Sequence, residues 1–273
     1  MQRFSASPMA MFGDIWRNKG LVYALAKREV IGRYRGSYLG MLWSLFNPIF
    51  MLAVYTFVFS IVFKARWGTS GSGSQTEFAL ILFTGMIVFG FFSECISRAP
   101  SLVVSNANYV KKVVFPLEVL PVVTLAGAFF HLVISLAVWL VFYIISFGLP
   151  HATSLLFPFV LLPLIFFVLG LAWFLASLGV FLRDVGQIVG ILITALMFLS
   201  PIFYPIAAIP ERYRYLINLN PLTHFIEQTR DVLVWGTVPE VGYWLVSLLA
   251  SLAFAWLGFA WFQKTRKGFA DVV

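Results

Sequence analysis

Residues 119–182 read VLPVVTLAGAFFHLVISLAVWLVFYIISFGLPHATSLLFPFVLLPLIFFVLGLAWFLASLGVFL. Apart from His131 and His151, the stretch carries no charge. A spanning helix needs about 20 mostly apolar residues, so this run is too long for one and suits two. The break falls at Gly148-Leu149-Pro150-His151, which predicts spans over 120–147 and 155–182. Uncharged gaps elsewhere place four more. Arg35 and Lys64 bracket a span over 39–63, and Glu77 precedes one over 78–97, with Glu94 a turn from its end. The last two fall over 186–204 and 241–262.

Composition agrees. The 273 residues are 61% hydrophobic and 11% charged, with a mean hydropathy of +0.92. Soluble domains are about 45–50% apolar and about 25% charged. So few charges cannot coat a globular surface, which excludes a water-soluble monomer. The apolar content also excludes a disordered chain. The expectation is an all-α integral membrane protein, one transmembrane domain over 1–273 with six spans. Cys95 stands alone, so no internal disulfide and no Cys-based metal site are expected. Residues 1–20 hold Arg3, Asp14, Arg17 and Lys19 and no long apolar core, so they do not read as a cleavable signal peptide.

The net charge of +8 would suggest nucleic acid on a soluble protein. Here it reads as topology, because Lys and Arg collect in cytoplasmic loops. With the N-terminus inside, fourteen of the 19 basic residues fall inside and five (Lys64, Arg66, Arg212, Arg214, Arg230) outside. Both termini are therefore expected in the cytoplasm.

Three segments between spans stand out. LVYALAKREVIGRYR (21–35) mixes apolar and basic residues without strong helix breakers. It suits a helix along the inner surface, either as a plain anchor or as a guide for an anionic headgroup. In SNANYVKKVVFPLEVLP (105–121), Ser105 or Asn106 can cap a short helix that Pro116 stops. About two turns are expected, with Tyr109, Val110 and Val113 on one side and Lys111 and Lys112 elsewhere. That shape serves as a connector or docks into a groove on a soluble partner. Beyond span five, SPIFYPIAAIPERYRYLINLNPLTHFIEQTRDVL (200–233) contains two short amphipathic helices. Ile209, Tyr213, Leu216 and Ile217 share one face. Leu222, Phe225, Ile226, Thr229 and Leu233 share another, with Glu227, Gln228, Arg230 and Asp231 opposite. Asn220-Pro221 turns between them. The pair, within 205–240, reads as an outer hairpin that caps an exit or lies on the surface.

Two further features concern charge near membrane faces. Glu94 and Arg98 are four apart on the inner end of span two, a spacing that permits a helix ion pair. Such a pair serves structure or a cytoplasmic gate. Arg183-Asp184 follows span four as a second candidate contact. His131 is the only ionisable residue well inside an expected span, where an uncharged, hydrogen-bonded imidazole is the favoured reading over a proton relay.

Taken in order, KREVIGRYRGSYLGMLWSLFNP (27–48), NYVKKVVFPLEVLP (108–121), FLRDV (181–185), SPIFYP (200–205) and Asn220-Pro221 with Arg230 resemble the polysaccharide-exporting ABC-2-type transporter permeases. The resemblance covers essentially the whole chain. It implies six spans, an N-terminal interface helix and a cytoplasmic coupling helix at about 106–115, drawing on Asn106, Asn108, Tyr109, Val110, Lys111, Lys112, Val113 and Phe115. It also implies an outer gate hairpin at about 206–234, with Tyr213, Leu216, Ile217, Phe225, Ile226 and Arg230. Members export O-antigen, capsule or teichoic acid on a lipid carrier. A second copy of the chain and two ATPase subunits are implied, with ATP and Mg²⁺ on the ATPases. No G-x-x-x-x-G-K-[ST] loop occurs in the sequence, in keeping with a chain that borrows its ATPase.

Under that resemblance, a long polymer needs a continuous path. Aromatic faces stack on sugar rings without demanding one hydrogen-bond pattern. Aromatics make up 18% of the chain. Tyr55, Phe57, Phe59 and Phe63 from span one, and Phe198, Phe203 and Tyr204 from span five onward, are the candidates; lipid-facing or core packing is the alternative for each. Arg33 and Arg35 are the candidates for a polyprenyl pyrophosphate headgroup, since Arg holds phosphate in a bidentate manner. The cargo is then a polyprenyl-pyrophosphate-linked polysaccharide, and the location a bacterial inner membrane. The rivals are an ABC-2 exporter of a small lipid or drug, a structural scaffold, and an intramembrane polyprenyl-lipid transferase. The last needs an acidic or His cluster, whereas the inside acids Asp14, Glu29, Glu94, Glu118, Asp184 and Asp271 are scattered singly.

Overall fold

A computed structural model describes residues 5–62, 67, 75–111 and 115–272. Phe63, Lys64, Arg66, Lys112, Val113 and the Gly/Ser loop 68–74 lie outside the described residues. Among those described there is no strand.

The N-terminal segment forms α1 (Pro8–Arg17) and α2 (Lys19–Tyr34). α1 begins by a clear rule. Ser7 Oγ accepts from Ala10 N at 3.1 Å, and Pro8 occupies the first turn. Met11 is buried, while Met9, Phe12 and Trp16 are exposed. After a turn with Gly36 and Gly40 at positive φ, α3 runs Leu42–Tyr55 and continues as a π-helical turn Thr56–Val62. The long helices follow: α4 (Gln75–Arg98), the one-turn α5 (Ala107–Val110), α6 (Val119–Phe147), α7 (Phe157–Phe181) and α8 (Val185–Leu199). Then come α9 (Glu211–Leu219), α10 (Pro221–Arg230), α11 (Val241–Thr265) and the terminal turn α12 (Phe269–Val272). The break expected at 148–151 is real. Gly148 takes φ 86° and closes α6, and a short 3-10 turn, Ala152–Leu156, leads into α7.

Five helical stretches are long and apolar enough to cross a bilayer: Leu42–Phe59, Thr76–Ser101, Val119–Phe147, Ala152–Phe181 and Val241–Val272. The span expected over 186–204 is a helix of 15 residues. Pro201 shortens it, because a residue before proline avoids the α region. Ser200 accordingly turns extended, at φ −98° and ψ 148°. The expected two-turn helix at 106–115 is likewise cut to one α-helical turn after a 3-10 turn at Val104–Asn106. Asn106 does not cap it; its Nδ2 donates to Leu102 O at 2.8 Å.

α4 is the hub. Most of its length is buried, and it meets α3, α6, α7, α8 and α10. α11 packs almost wholly on α7. One apolar core surrounds α4, α6 and α7. A second gathers Met11, Leu102, Trp173, Phe259, Phe262 and Phe269 at the end of the bundle that α5 occupies. The α9–α10 hairpin touches α4 near Ile81, and the α5 segment follows α4 beyond Arg98. The two therefore lie at opposite ends of α4.

Candidate functional site

The α5 segment is anchored from both chain ends. Tyr109 and Phe115 stack at 4.2 Å between centroids, nearly parallel at 7°. Arg28 Nη2 of α2 donates to Tyr109 OH at 2.9 Å. From the other terminus, Arg266 donates to Glu118 Oε2 at 2.5 Å and to Phe115 O at 2.7 Å. Trp173 Nε1 donates to Glu118 O at 3.0 Å. Glu118 is 5% exposed. Its burial raises the carboxyl above the usual carboxylate range, and Arg266 offsets only part of that. Tyr109, Val110 and Phe115 pack against the second core, whereas Asn108 and Lys111 are exposed. The sorting expected for Tyr109, Val110 and Lys111 is thus present. The clamp through Glu118 and Arg266 was not expected; its sequence signal was an acid at the start of one apolar run and a base at the end of the last.

Above this segment, α2 is held by polar ties and buries no residue of its own. Glu29 pairs with Arg98. Arg33 Nη2 pairs with Glu94 Oε1 at 2.6 Å. His131 Nδ1 stands 3.0 Å from both Glu94 oxygens, and Tyr34 Oη 2.9 Å from His131 Nε2. Nδ1 also lies 3.0 Å from Arg33 Nη1, so this ring nitrogen stands between a carboxylate and a guanidinium. Burial holds the Tyr34 hydroxyl above its ordinary pKa, so it stays a neutral donor.

These contacts correct the expectation that Glu94 and Arg98 pair with each other. Both sit on one face of α4, and α2, packed on α6, extends Arg33 to one and Glu29 to the other. A partner on a facing helix closes to 2.6 Å, which exposed i, i+4 side chains seldom hold. The hydrogen-bonded ring expected at His131 is present, joined to a carboxylate, a guanidinium and a phenol. Arg33 has its charge matched by Glu94. Arg35 is exposed and lines a separate recess with Lys27 and Arg28. Arg183 and Asp184 are exposed in the α7–α8 turn and make no ion pair among the described residues.

The Arg33–Glu94–His131 node floors a cavity of about 480 Å³ between α3, α4 and α6. Trp43, Ser44, Asn47 and Tyr55 form its α3 wall. Trp43 and Asn47 are lining residues that the sequence did not single out. At its far end Tyr55 meets an aromatic cluster. Phe203 lies 6.4 Å from Tyr55, 5.2 Å from Phe59 in a stacked pair, and 5.8 Å from Phe198. The expected aromatics Tyr55, Phe59, Phe198 and Phe203 therefore come together, joining α3 to the end of α8. Phe57 points outward, 57% exposed. Tyr204 spends its hydroxyl on Phe198 O at 2.7 Å.

At the opposite end, Asn220 caps α10 by accepting from Leu222 N at 3.0 Å, and its Nδ2 donates to Ser200 Oγ at 2.9 Å. Ile217, Phe225 and Ile226 are buried, while Tyr213 and Leu216 are exposed. The polar face expected for Arg230 is overturned, since Arg230 is 0% exposed. The break at Ser200-Pro201 leaves carbonyls unpaired, and Arg230 satisfies them. Nη1 donates to Pro201 O at 2.6 Å, Nη2 to Ile202 O at 3.0 Å and Nε to Ile81 O at 3.3 Å. Glu227 Oε1 accepts at 2.6 Å, and Trp67 lies 4.3 Å from the guanidinium.

A family model described as ABC-2 type transporter matches residues 20–234. This chain belongs to that family. The ABC-2 chain is 27% identical over 262 residues to the O-antigen export system permease protein RfbA of Myxococcus xanthus, covering 95% of this chain and 98% of the relative. A Klebsiella pneumoniae protein of the same name is 26% identical, over 93% and 95% of the two chains. The polysialic acid transport protein KpsM of Escherichia coli is 25% identical, over 81% and 84%. Together with the five apolar helices, these similarities make the ABC-2 chain a permease component and a multi-pass bacterial inner-membrane protein.

Proposed function

We propose that this permease moves lipid-linked polysaccharide of O-antigen type outward across the inner membrane, driven by ATP that two separate ATPase subunits hydrolyse. What carries the reading is the end-to-end similarity to a protein named as an O-antigen export permease, over 95% of this chain. α8 serves as a short sixth span, which puts both termini in the cytoplasm, in line with the charge asymmetry. Two copies of the permease enclose the path.

In this reading the α5 segment takes the stroke of the ATPase through exposed Asn108 and Lys111. Arg35, with Arg33 on release from Glu94, meets the pyrophosphate of the carrier. The polymer then moves from the cavity at Trp43 and Asn47 along Tyr55, Phe59, Phe203 and Phe198. The α9–α10 hairpin, pinned by Arg230, stands over the exit. Capsular polymer is the second reading, favoured by the similarity to a polysialic acid transport protein.

The test is a deletion strain complemented by the permease and its ATPase. Surface polymer is resolved on gels, and the copurified ATPase is assayed. Lys111→Ala with Phe115→Ala is expected to leave the permease inserted while export and polymer-dependent ATP turnover collapse. A permease that purifies with no nucleotide-binding partner, or a deletion strain with unchanged surface polymer, overturns the reading.

A further inference from the structure

Glu94 lies within the candidate span Thr76–Ser101, and two groups claim its carboxylate. Arg33 Nη2 stands 2.6 Å from Oε1. His131 Nδ1 stands 3.0 Å from both oxygens, and 3.0 Å from Arg33 Nη1 as well. Across the ring, Nε2 meets Tyr34 Oη at 2.9 Å. All four side chains line the cavity of about 480 Å³, where among the described residues Arg33 is the one Lys or Arg and Glu94 the one acid.

A neutral imidazole carries its proton on either nitrogen, and here both forms find partners. With Nε2–H, the ring donates to Tyr34 Oη, and its bare Nδ1 accepts from Arg33. That form sets the Nδ1 lone pair against the Glu94 oxygens, which the guanidinium, bonded to both, offsets. With Nδ1–H, the ring donates to Glu94, and Nε2 accepts from the Tyr34 hydroxyl. The first form suits Arg33 in place, and the second suits its departure. A carboxylate left alone in a span is costly. Arg98, one turn along α4, is already held by Glu29 and offers no replacement. The Nδ1–H form keeps Glu94 hydrogen-bonded once the guanidinium has gone.

We propose that His131 is a positioning residue for the headgroup-binding arginine. By exchanging tautomers it takes over Glu94 and frees Arg33 to turn to a pyrophosphate. The exchange gives the Nε2 proton to water in the cavity and takes one back at Nδ1, so the ring stays neutral. This rests on the pyrophosphate role given above to Arg33 and adds what makes the guanidinium releasable.

Equilibrium binding of a short polyprenyl pyrophosphate, farnesyl pyrophosphate, to the full-length permease in detergent tests it, with farnesol as the uncharged control. The parent should prefer the pyrophosphate. Glu94→Gln frees Arg33 without stranding a charge and should bind the pyrophosphate about tenfold tighter, as expected for one hydrogen bond to a charged group. His131→Phe withdraws the substitute partner and should bind it about tenfold more weakly. His131→Asn, with an amide near the Nδ1 position that turns to donate or accept, should restore the parent affinity. In the Glu94→Gln background His131→Phe should have no effect, a non-additivity that lost packing at position 131 would not produce. A preference for pyrophosphate over farnesol that Glu94→Gln leaves unchanged overturns the inference, and this holds even if His131→Phe fails to fold. So does a His131→Phe chain that binds as the parent does. Pyrophosphate preferred by neither the parent nor Glu94→Gln removes the headgroup role of Arg33 itself, and the inference with it.

Discussion

Gly170 of α7 and Gly258 of α11 touch backbone to backbone. A Cβ built on Gly170 would stand 2.7 Å from Ala255 Cα, and one on Gly258 would penetrate the carbonyl of Gly170. Apolar side chains gain little by leaving lipid for one another, so close approach through small residues is what holds such helices together. α11 has few other supports, since it packs almost wholly on α7. Gly258→Ala is therefore expected to destabilise the chain by about 1–3 kcal/mol. Gly190→Ala in α8, where a Cβ meets nothing within 4 Å, is expected to be neutral or mildly stabilising. Thermal melts of the two variants in one detergent check the contrast.

The Glu118–Arg266 clamp should respond asymmetrically. Arg266→Ala strands a buried carboxylate, and loss of a buried partner destabilises by about 3–5 kcal/mol. Glu118→Gln still accepts from the guanidinium and removes the charge that burial disfavours, so its effect should be small. The sign with pH follows. Glu118 has a raised carboxyl pKa in the fold, so the folded chain binds that proton more tightly than the unfolded one. Its contribution to stability is greatest below the ordinary carboxylate pKa and declines as pH rises through the folded value. Without Arg266 that value rises further. The melting deficit of Arg266→Ala should therefore shrink on acidification, and Glu118→Gln in the same chain should largely relieve it at neutral pH.

Arg230 should not tolerate lysine. A guanidinium reaches three carbonyls from one plane, and an ammonium cannot. Arg230→Lys leaves Pro201 O or Ile202 O unpaired, each unfavourable by about 1–3 kcal/mol. The expected result is normal insertion, loss of export, and faster hydrogen–deuterium exchange over 200–234. Unchanged exchange there refutes the pinning role.

α2 depends on ion pairs for its seat. Glu29→Gln together with Glu94→Gln should raise exchange across Lys19–Tyr34 while α4 and α6 stay protected. If α2 remains equally protected, apolar contacts rather than the polar ties hold it.

Much of this fold was legible because its strongest signal is an absence of charge. Long gaps between Lys, Arg, Asp and Glu located the five long helices, and Gly148 marked the break between two of them. Helix ends were less legible where proline intervened, as at Ser200-Pro201. Partners of charged groups were not legible at all. Spacing permitted Glu94 with Arg98, but it could not register that α2 lays Arg33 and Glu29 across them. A helical wheel put Arg230 with the polar residues of α10, because no wheel knows that a distant break offers two bare carbonyls beside that of Ile81 in α4. α1 was not legible although Ser7-Pro8 is a start signal, because its 10 residues contain no long apolar run.

The seat of α1 sets an order of events during synthesis. Trp256 Nε1 donates to Ala6 O at 2.9 Å, and Met11 is packed into the cluster that contains Phe259 and Phe262. The seat of α1 is thus incomplete until α11, far along the chain, has been made. A nascent chain carries α1 without its α11 contacts through the insertion of every earlier span. Docking of α1 onto α11 then reports that α11 has arrived, and a chain halted before α11 displays part of the apolar face of α1 to whatever machinery clears unfinished proteins.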